Sequence, residues 1–278
     1  MTIEYQDIRP PMPARRSAAR RTPARSFGSA RATLALILRE ISTAYGATPG
    51  GYLWAVAEPV ASIILLTAVF SYSFRSPPMG VNFAIYYATG MLPFLMFTNV
   101  SNKIALSLRF SKSLLAYPAV TFVDAIMARF LLAVATNLFV YTLVFVAIFL
   151  IYDTRTIPVV PGIALSFAMA AVLGLGIGTL NCFLFSLFEA WVSIWSILTR
   201  PLVILSCVLF PYAAVPEPFR SYLWYNPLVQ IVGKMRGSFY PSYDDSYVSV
   251  TYVFGIALIS LLLGLILLGR YYRYIINE

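Results

Sequence analysis

The sequence predicts an all-α integral membrane protein with six transmembrane helices. Three observations support this class: 60% of the 278 residues are hydrophobic, only 11% are charged, and long apolar runs recur along the chain. Soluble proteins average roughly 45–50% apolar and about 25% charged residues, so most of this surface cannot face water. The composition excludes a soluble enzyme, a disordered chain, a collagen-like fibre and a disulfide-rich secreted module.

Six apolar runs are long enough to cross a bilayer, which takes about 20 helical residues. They are Leu53–Phe74, Phe83–Val100, Ala125–Ile151, Val159–Phe188, Trp191–Phe210 and Val248–Gly269. An even number of crossings puts both termini on one side. With the termini inside, cytoplasmic segments hold 14 Lys and Arg residues against 5 in external loops. This bias predicts a multi-pass protein of the plasma membrane with both termini in the cytoplasm.

The chain before the first span is basic and then amphipathic. In residues 1–30, Arg alternates with Pro, which predicts a flexible basic tail that lies either against anionic lipid or in solvent. Residues 31–278 are expected to form one transmembrane domain. Leu34, Leu38, Ile41 and Tyr45 recur at helical spacing, which predicts a helix that lies in the cytoplasmic interface or packs on protein.

Two connections are too long to be simple turns. The cytoplasmic one, Ser101–Asp124, mixes basic and apolar residues and predicts a short amphipathic helix suited to a groove on a cytosolic partner. The external one, Tyr212–Tyr247, contains the apolar pieces Phe219–Tyr225 and Leu228–Val232, broken by prolines and by Gly233. It predicts short re-entrant helices before the last span, with a plain extracellular loop as the alternative.

Glycines at four-residue spacing mark the fourth span. Gly174, Gly176 and Gly178 lie in the middle of an apolar run with no strand before them. A nucleotide-binding loop is therefore not expected, and Gly174 and Gly178 predict close helix packing instead.

Three stretches of the chain follow a known pattern. Arg39 precedes Gly51-Tyr52-Leu53-Trp54-Ala55-Val56-Ala57-Glu58-Pro59; Thr89-Gly90-Met91-Leu92-Pro93-Phe94 continues through Phe97, Ser101 and Asn102; and Asn226-Pro227-Leu228 precedes Met235-Arg236-Gly237. In order and spacing they resemble the permease subunits of type 2 ABC exporters, most closely the subunit that exports capsular polysaccharide. The resemblance covers nearly the whole chain after residue 35.

This resemblance implies an assembly and a cargo. Two six-span subunits in the bacterial inner membrane would form a channel between them, through which a lipid-linked, acidic polysaccharide leaves the cytoplasm. Each subunit would sit on a separate cytosolic ABC ATPase, and a periplasmic adaptor would continue the route outward. Membrane lipid is an expected neighbour, and nucleic acid is not an expected partner.

The chain itself is expected to be a transport subunit rather than an enzyme. It contains no Gly-x-x-x-x-Gly-Lys-Ser/Thr motif to cradle phosphates, so ATP and Mg²⁺ are expected on the partner ATPase and no cofactor here. There is no His, and both Cys lie in apolar runs, so neither a catalytic nor a metal site is expected. The pair Asp244-Asp245 is interpreted as a solvated turn, with a divalent-cation site as the alternative.

The resemblance places the ATPase contact on the loop between the second and third spans. Within that loop and the next cytoplasmic turn, the residues expected to dock on the ATPase are Arg109, Phe110, Lys112, Leu114, Leu115, Tyr117 and Glu189.

Arg200 is the most informative single charge, because it falls near the centre of the fifth predicted span. An unpaired cation there costs at least about 2.5–3.5 kcal/mol. Either it lines a conduit and meets an anionic sugar or a lipid phosphate, or it forms a buried pair with Glu58 that only fixes helix packing. Sugar rings pack on aromatic faces, and the aromatic residues expected along the conduit are Trp54, Tyr72, Trp195, Trp224 and Tyr225.

Two other functions stay open. A permease of the same superfamily could carry O-antigen, teichoic acid, a lipid or a drug. A membrane-embedded transferase would need a cluster of carboxylates or His at one interface, and the sequence offers none.

Overall fold

The structure is a computed structural model that describes residues 33–40, 51–115 and 121–277, with side chains except at 51–52, 112–115 and 273–277. The regular secondary structure of these residues is helical, without strands. The helices are α1 (33–40), α2 (Gly51–Ser73), α3 (Phe83–Ala105), α4 (Ser107–Leu115), α5 (Phe122–Ile151), α6 (Val160–Leu187), α7 (Glu189–Leu205), α8 (Phe219–Leu223), α9 (Pro227–Phe239) and α10 (Val250–Asn277). The predicted tail, 1–30, lies outside the described residues.

Five helices in the described ranges are long and apolar enough to cross a membrane. They are Leu53–Ser73, Phe83–Ala105, Phe122–Ile151, Val160–Leu187 and Val250–Tyr272, which match the predicted first to fourth and last spans. The fifth prediction, Trp191–Phe210, differs from the structure because α7 has 17 residues and ends at Leu205. The chain then leaves helical geometry at Cys207, whose φ is +55°. A sixth crossing through α7 stays a prediction.

Helix α3 is the centre of the bundle, with most of its residues buried against α2, α5, α6 and α9. Glycines allow α6 to approach it closely. A Cβ atom on Gly174 would lie 3.0 Å from Cβ of Val100, and one on Gly178 would lie 2.8 Å from the Ser101 carbonyl oxygen. The predicted close packing at these two glycines is therefore confirmed. Gly176 faces the opposite way, against the Ala257 carbonyl of α10.

The short helices predicted beside the spans are present in part. Helix α4 confirms the amphipathic helix expected between the second and third spans. Helix α1 covers 33–40 with Leu34 and Leu38 exposed, whereas Ile41 and Tyr45 lie outside the described residues. The position of α1 in the membrane interface stays a prediction.

The external connection folds into α8 and α9. Helix α9 begins where the Asn226 side chain accepts a 3.0 Å hydrogen bond from the Leu228 amide and Pro227 occupies the first turn. The predicted break at Gly233 is wrong, because α9 continues to Phe239. A side chain at Gly233 would collide with Tyr247, so this glycine serves packing between α9 and the following loop. Re-entry of α8 and α9 into the bilayer stays a prediction.

Candidate functional site

Helices α2 and α7 pack against the core along one side and leave most of their surface exposed. No residue of α7 is buried, and among the described side chains of α2 only Pro59 and Ile63 are buried. Apolar side chains on such helices can face lipid. Charged side chains cannot do so without a large cost.

Besides Glu189 in the first turn of α7, two charges lie on these exposed surfaces. Glu58 on α2 and Arg200 on α7 are both exposed, and no ion pair joins them in the described part of the chain. The packing pair considered from the sequence is therefore not formed within this chain. Both charges are available to groups outside it.

Aromatic side chains extend the same surfaces. Trp54 near the start of α2 is 75% exposed, and Tyr72 near its other end is 96% exposed. Trp195 of α7 is half-buried, and its indole Nε1 donates a 3.3 Å hydrogen bond to Oδ1 of Asn102 on α3. Trp195 therefore attaches α7 to the central helix, while Trp54 and Tyr72 present their rings outward.

The two aromatics predicted on the external side differ in their surroundings. The indole Nε1 of Trp224 donates a 3.0 Å hydrogen bond to the Tyr247 carbonyl oxygen, and its ring lies 5.1 Å from that of Tyr252. Trp224 therefore packs the external segment together. Tyr225 is exposed, and its carbonyl oxygen accepts a 2.7 Å hydrogen bond from the Tyr252 hydroxyl.

One polar group inside the spans was not predicted from the sequence. The Asn99 amide on α3 lies 3.5 Å from Oδ1 of Asn137 and 3.4 Å from the Tyr141 hydroxyl, both on α5. Asn99 and Asn102 are three residues apart and so share one side of α3. The available signal was this pair of amides in an apolar run, since polar side chains within spans mark functional or packing positions.

The expected docking residues lie on α4 and at the start of α7. Nη2 of Arg109 donates a 2.7 Å hydrogen bond to the Phe185 carbonyl oxygen near the end of α6. Phe110 is exposed, with the Arg129 guanidinium 4.4 Å from its ring centre. Glu189 is exposed in the first turn of α7. The side chains of Lys112, Leu114 and Leu115 are not described, and Tyr117 lies outside the described residues.

Arg236, placed in an external loop by the sequence, is fully buried in α9. Its Nη1 donates hydrogen bonds of 2.8 Å and 2.9 Å to the carbonyl oxygens of Cys207 and Phe210, and Nη2 donates one of 2.6 Å to that of Val208. The guanidinium also lies 4.5 Å from the centre of the Tyr86 ring. One cation thus ties α9 to the backbone after α7 and to α3.

No group of three or more His, Cys, Asp or Glu that could hold a metal ion occurs among the described residues. Asp245 pairs with Lys234, its Oδ2 lying 2.8 Å from Nζ. The Asp244 carboxylate accepts a 2.9 Å hydrogen bond from the Ser246 amide, as expected of a solvated turn.

Comparison with known proteins indicates a membrane protein, as the long apolar helices do. The ABC-2 type transporter family matches residues 31–240. The chain is 31% identical over 233 residues to the polysialic acid transport protein KpsM of Escherichia coli, covering 84% of this chain and 90% of that protein. It is 26% identical over 237 residues to the capsule polysaccharide export inner-membrane protein CtrC of Neisseria meningitidis serogroup A, covering 85% and 89%.

A third relative extends this group. The capsule polysaccharide export inner-membrane protein BexB of Haemophilus influenzae is 25% identical over 238 residues, covering 85% of this chain and 89% of that protein. The family match spans more than half of the chain, and KpsM aligns over nearly its whole length. This multi-pass helical chain therefore belongs to the ABC-2 type transporter family.

Proposed function

We propose that the chain is the membrane-spanning subunit of an exporter that moves capsular polysaccharide out of the cytoplasm across the bacterial inner membrane. The observation that carries this proposal is the similarity to KpsM, CtrC and BexB over nine-tenths of their lengths. All three bear names for the transport of polysialic acid or capsule polysaccharide. The cargo proposed here is a lipid-linked, acidic polymer.

The polymer passes through a channel between two copies of the chain. A polysaccharide longer than the roughly 30 Å apolar core of the bilayer cannot be enclosed in one pocket, which favours a continuous channel over alternating access. The exposed surfaces of α2 and α7 are the proposed walls. Arg200 supports this arrangement, because an exposed cation within the bilayer needs a watery or charged surrounding.

The proposed channel attracts an acidic chain and lets it slide. Arg200 supplies positive charge for sugar carboxylates or a lipid phosphate, and Glu58 lines the same channel from α2. Trp54, Tyr72 and Trp195 offer ring faces to the apolar faces of sugars. Trp224 and Tyr225 contribute at the external end, where Trp224 acts by holding Tyr225 and its neighbours in place.

ATP is hydrolysed on a separate ATPase that docks on α4 and the start of α7. The proposed contact residues are Arg109, Phe110, Lys112, Leu114, Leu115, Tyr117 and Glu189. The hydrogen bond between Arg109 and Phe185 supports a mechanical role, because a push on α4 reaches the end of α6 directly.

The proposed topology has six crossings, with α7 as the fifth and both termini in the cytoplasm. In this arrangement α1 lies in the cytoplasmic interface, the basic tail lies beside anionic lipid, and α8 and α9 re-enter the bilayer from outside. These external helices then gate the exit or meet a periplasmic adaptor.

Deletion of the gene in a capsulated host tests the export function. We expect capsular polymer to accumulate in the cytoplasm while its synthesis continues, and the intact gene to restore surface polymer. An Arg200→Gln variant should insert and bind the ATPase normally but export poorly, whereas Arg155→Gln, which removes a cation paired with Asp153 outside the spans, should export normally. Unchanged surface polymer in the deletion strain would overturn the proposal.

A further inference from the structure

A cavity of about 490 Å³ lies between α1, the end of α3, α4 and the start of α5. Sites of roughly 300–1,000 Å³ suit small ligands rather than polymers. The cavity is separate from the exposed charges on α2 and α7, since neither Glu58 nor Arg200 lines it. It lies where two short helices meet the ends of two spanning helices.

The charges that line the cavity are mainly positive. Arg39, Lys103 and Arg129 contribute cations, and Glu40 contributes a carboxylate, so cations outnumber carboxylates among the described residues that line the cavity. Nε of Arg129 lies 3.2 Å from Oε1 of Glu40, and its Nη1 donates a 3.0 Å hydrogen bond to the Lys103 carbonyl oxygen. Arg39, Glu40 and Lys103 also have interactions of their own within the chain.

The remaining wall of the cavity is mostly apolar. Leu36 of α1, Leu106 at the end of α3 and Phe110 of α4 line it together with small residues of α5, among them Ala128. A binding site with cations on one side and apolar side chains on the other suits an amphiphilic anion. A free inorganic anion has no part that would use the apolar wall.

We propose that this cavity binds the phosphate headgroup of an anionic phospholipid, with Lys103 and Arg39 facing the phosphate and the apolar wall contacting the glycerol and the first acyl carbons. The inference goes beyond polysaccharide export. It rests on the proposed topology in one respect only. That topology puts the cavity on the cytoplasmic side, so the lipid comes from the cytoplasmic leaflet. A lipid held between α1 and α4 would also stiffen the proposed docking helix, because both helices line the site.

The test is lipid retention by the full chain, purified with its ATPase and titrated with phosphatidylglycerol or phosphatidylcholine under native mass spectrometry. We expect phosphatidylglycerol to be retained preferentially. A double Lys103→Gln and Arg39→Gln variant should bind it roughly 30-fold more weakly, since each cation near a membrane surface contributes about 1 kcal/mol. The matched control, Arg75→Gln with Arg155→Gln, removes two cations that do not line the cavity and should bind normally.

A second variant separates the cavity from general surface charge. Ala128→Leu fills part of the cavity without changing any charge, and it should weaken phosphatidylglycerol retention while the thermal midpoint of the complex shows that the fold persists. Normal retention by both the charge and the filling variants would overturn the proposal. Equal retention of both lipids would also overturn it, as would binding of soluble glycerol 3-phosphate with no binding of phosphatidylglycerol.

These outcomes are distinguishable from a failure of the proposed export function. Lipid retention requires neither cargo nor ATP hydrolysis. A chain that exports no polysaccharide would still retain phosphatidylglycerol if the cavity is a lipid site.

Discussion

Arg236 on α9 holds Val208 in place after the end of α7: Nη2 of the arginine donates a 2.6 Å hydrogen bond to the Val208 carbonyl oxygen. Nη1 of the same guanidinium donates hydrogen bonds to the carbonyl oxygens of Cys207 and Phe210. Helix α7 stops at Leu205 although the apolar residues Val208, Leu209 and Phe210 follow shortly after it. The arginine therefore supplies hydrogen bonds that the irregular backbone cannot make within a helix.

Replacing Arg236 by Met should destabilise the protein strongly. Three carbonyl oxygens would lose a donor, and each unsatisfied buried polar group costs about 1–3 kcal/mol, so a loss of about 3 kcal/mol or more is expected. Thermal unfolding in detergent measures it. Arg220→Met is the control, because its 2.8 Å ion pair with Glu217 is largely exposed and should contribute little to stability. Equal losses of stability in the two variants would contradict this role.

Gly176→Ala should loosen the contact between α6 and α10. The added Cβ would meet the Ala257 carbonyl, a backbone group that cannot turn away, and overpacking of this kind costs about 1–3 kcal/mol. Gly255→Ala, on α10 itself, is the matched control because no atom lies within 4 Å of its added Cβ. Thermal midpoints should fall for the first variant only. A fall of the same size at Gly255 would contradict the packing explanation, because exchanging Gly for Ala inside a helix should by itself stabilise it.

Arg109→Gln should uncouple ATP hydrolysis from transport more than it weakens ATPase binding. The arginine links α4 to the Phe185 carbonyl over 2.7 Å, and a shorter neutral amide cannot maintain that link. The measurement is the ratio of polymer exported to ATP hydrolysed, with ATPase co-purification as a second readout. Arg270→Gln, exposed near the end of α10, is the control. A normal ratio of exported polymer to hydrolysed ATP in Arg109→Gln would contradict the mechanical role of Arg109.

Glu217 should make the external segment sensitive to acid only at low pH. Hydrogen bonds from Ser221, followed by the contact with Arg220, hold the pKa of Glu217 below its usual range. Because the folded pKa is the lower one, the stabilisation is complete above the unfolded pKa and is lost as pH falls through the folded pKa. The loss is therefore expected below about pH 4.5, the usual Glu value.

Hydrogen exchange of the Ser221 amide, corrected for intrinsic rates, reports this change, since that amide donates to the Glu217 carboxylate at 3.3 Å. Protection should be flat at neutral pH and fall in acid. In Glu217→Gln the acid-dependent fall should disappear. A fall centred near neutral pH in the unmodified protein would mean that the pKa of Glu217 is raised in the folded state. That result would contradict the prediction.

The spanning helices were predictable because their signal is local. A run of about 20 apolar residues must bury its backbone polar groups in a helix whatever surrounds it. The start of α5 was local as well, since Thr121 and Asp124 form a capping box in which the Asp124 amide donates to the Thr121 hydroxyl at 3.2 Å. The prediction at Ala125 began one turn too late because it counted only apolar residues.

The errors arose where distant residues decide the backbone. The irregular backbone after α7 is hydrogen-bonded by Arg236, which lies 28 positions after Val208. Gly233 lies inside α9 because Tyr247 in the next loop leaves no room for a side chain there, and not because the helix ends. The apolar residues and glycines near the predicted boundaries give no information about Arg236 or Tyr247.

For the candidate site, the sequence identified Arg200 and Glu58 because charges in apolar runs are conspicuous. The contacts of Asn99 with Asn137 and Tyr141 could not be found in the same way, since they join α3 to α5 across 38 and 42 positions. The second role of Arg109, as a link to the end of α6, was hidden for the same reason.

Vectorial transport in proteoliposomes tests the central proposal most directly. Vesicles would carry this chain with its ATPase facing outward, together with lipid-linked capsular polymer, and the fraction of polymer protected from an added depolymerase would be measured. We expect protection to grow with ATP, and Arg200→Gln to abolish this growth while the complex stays assembled. An intact, ATP-hydrolysing complex that protects no polymer would contradict it.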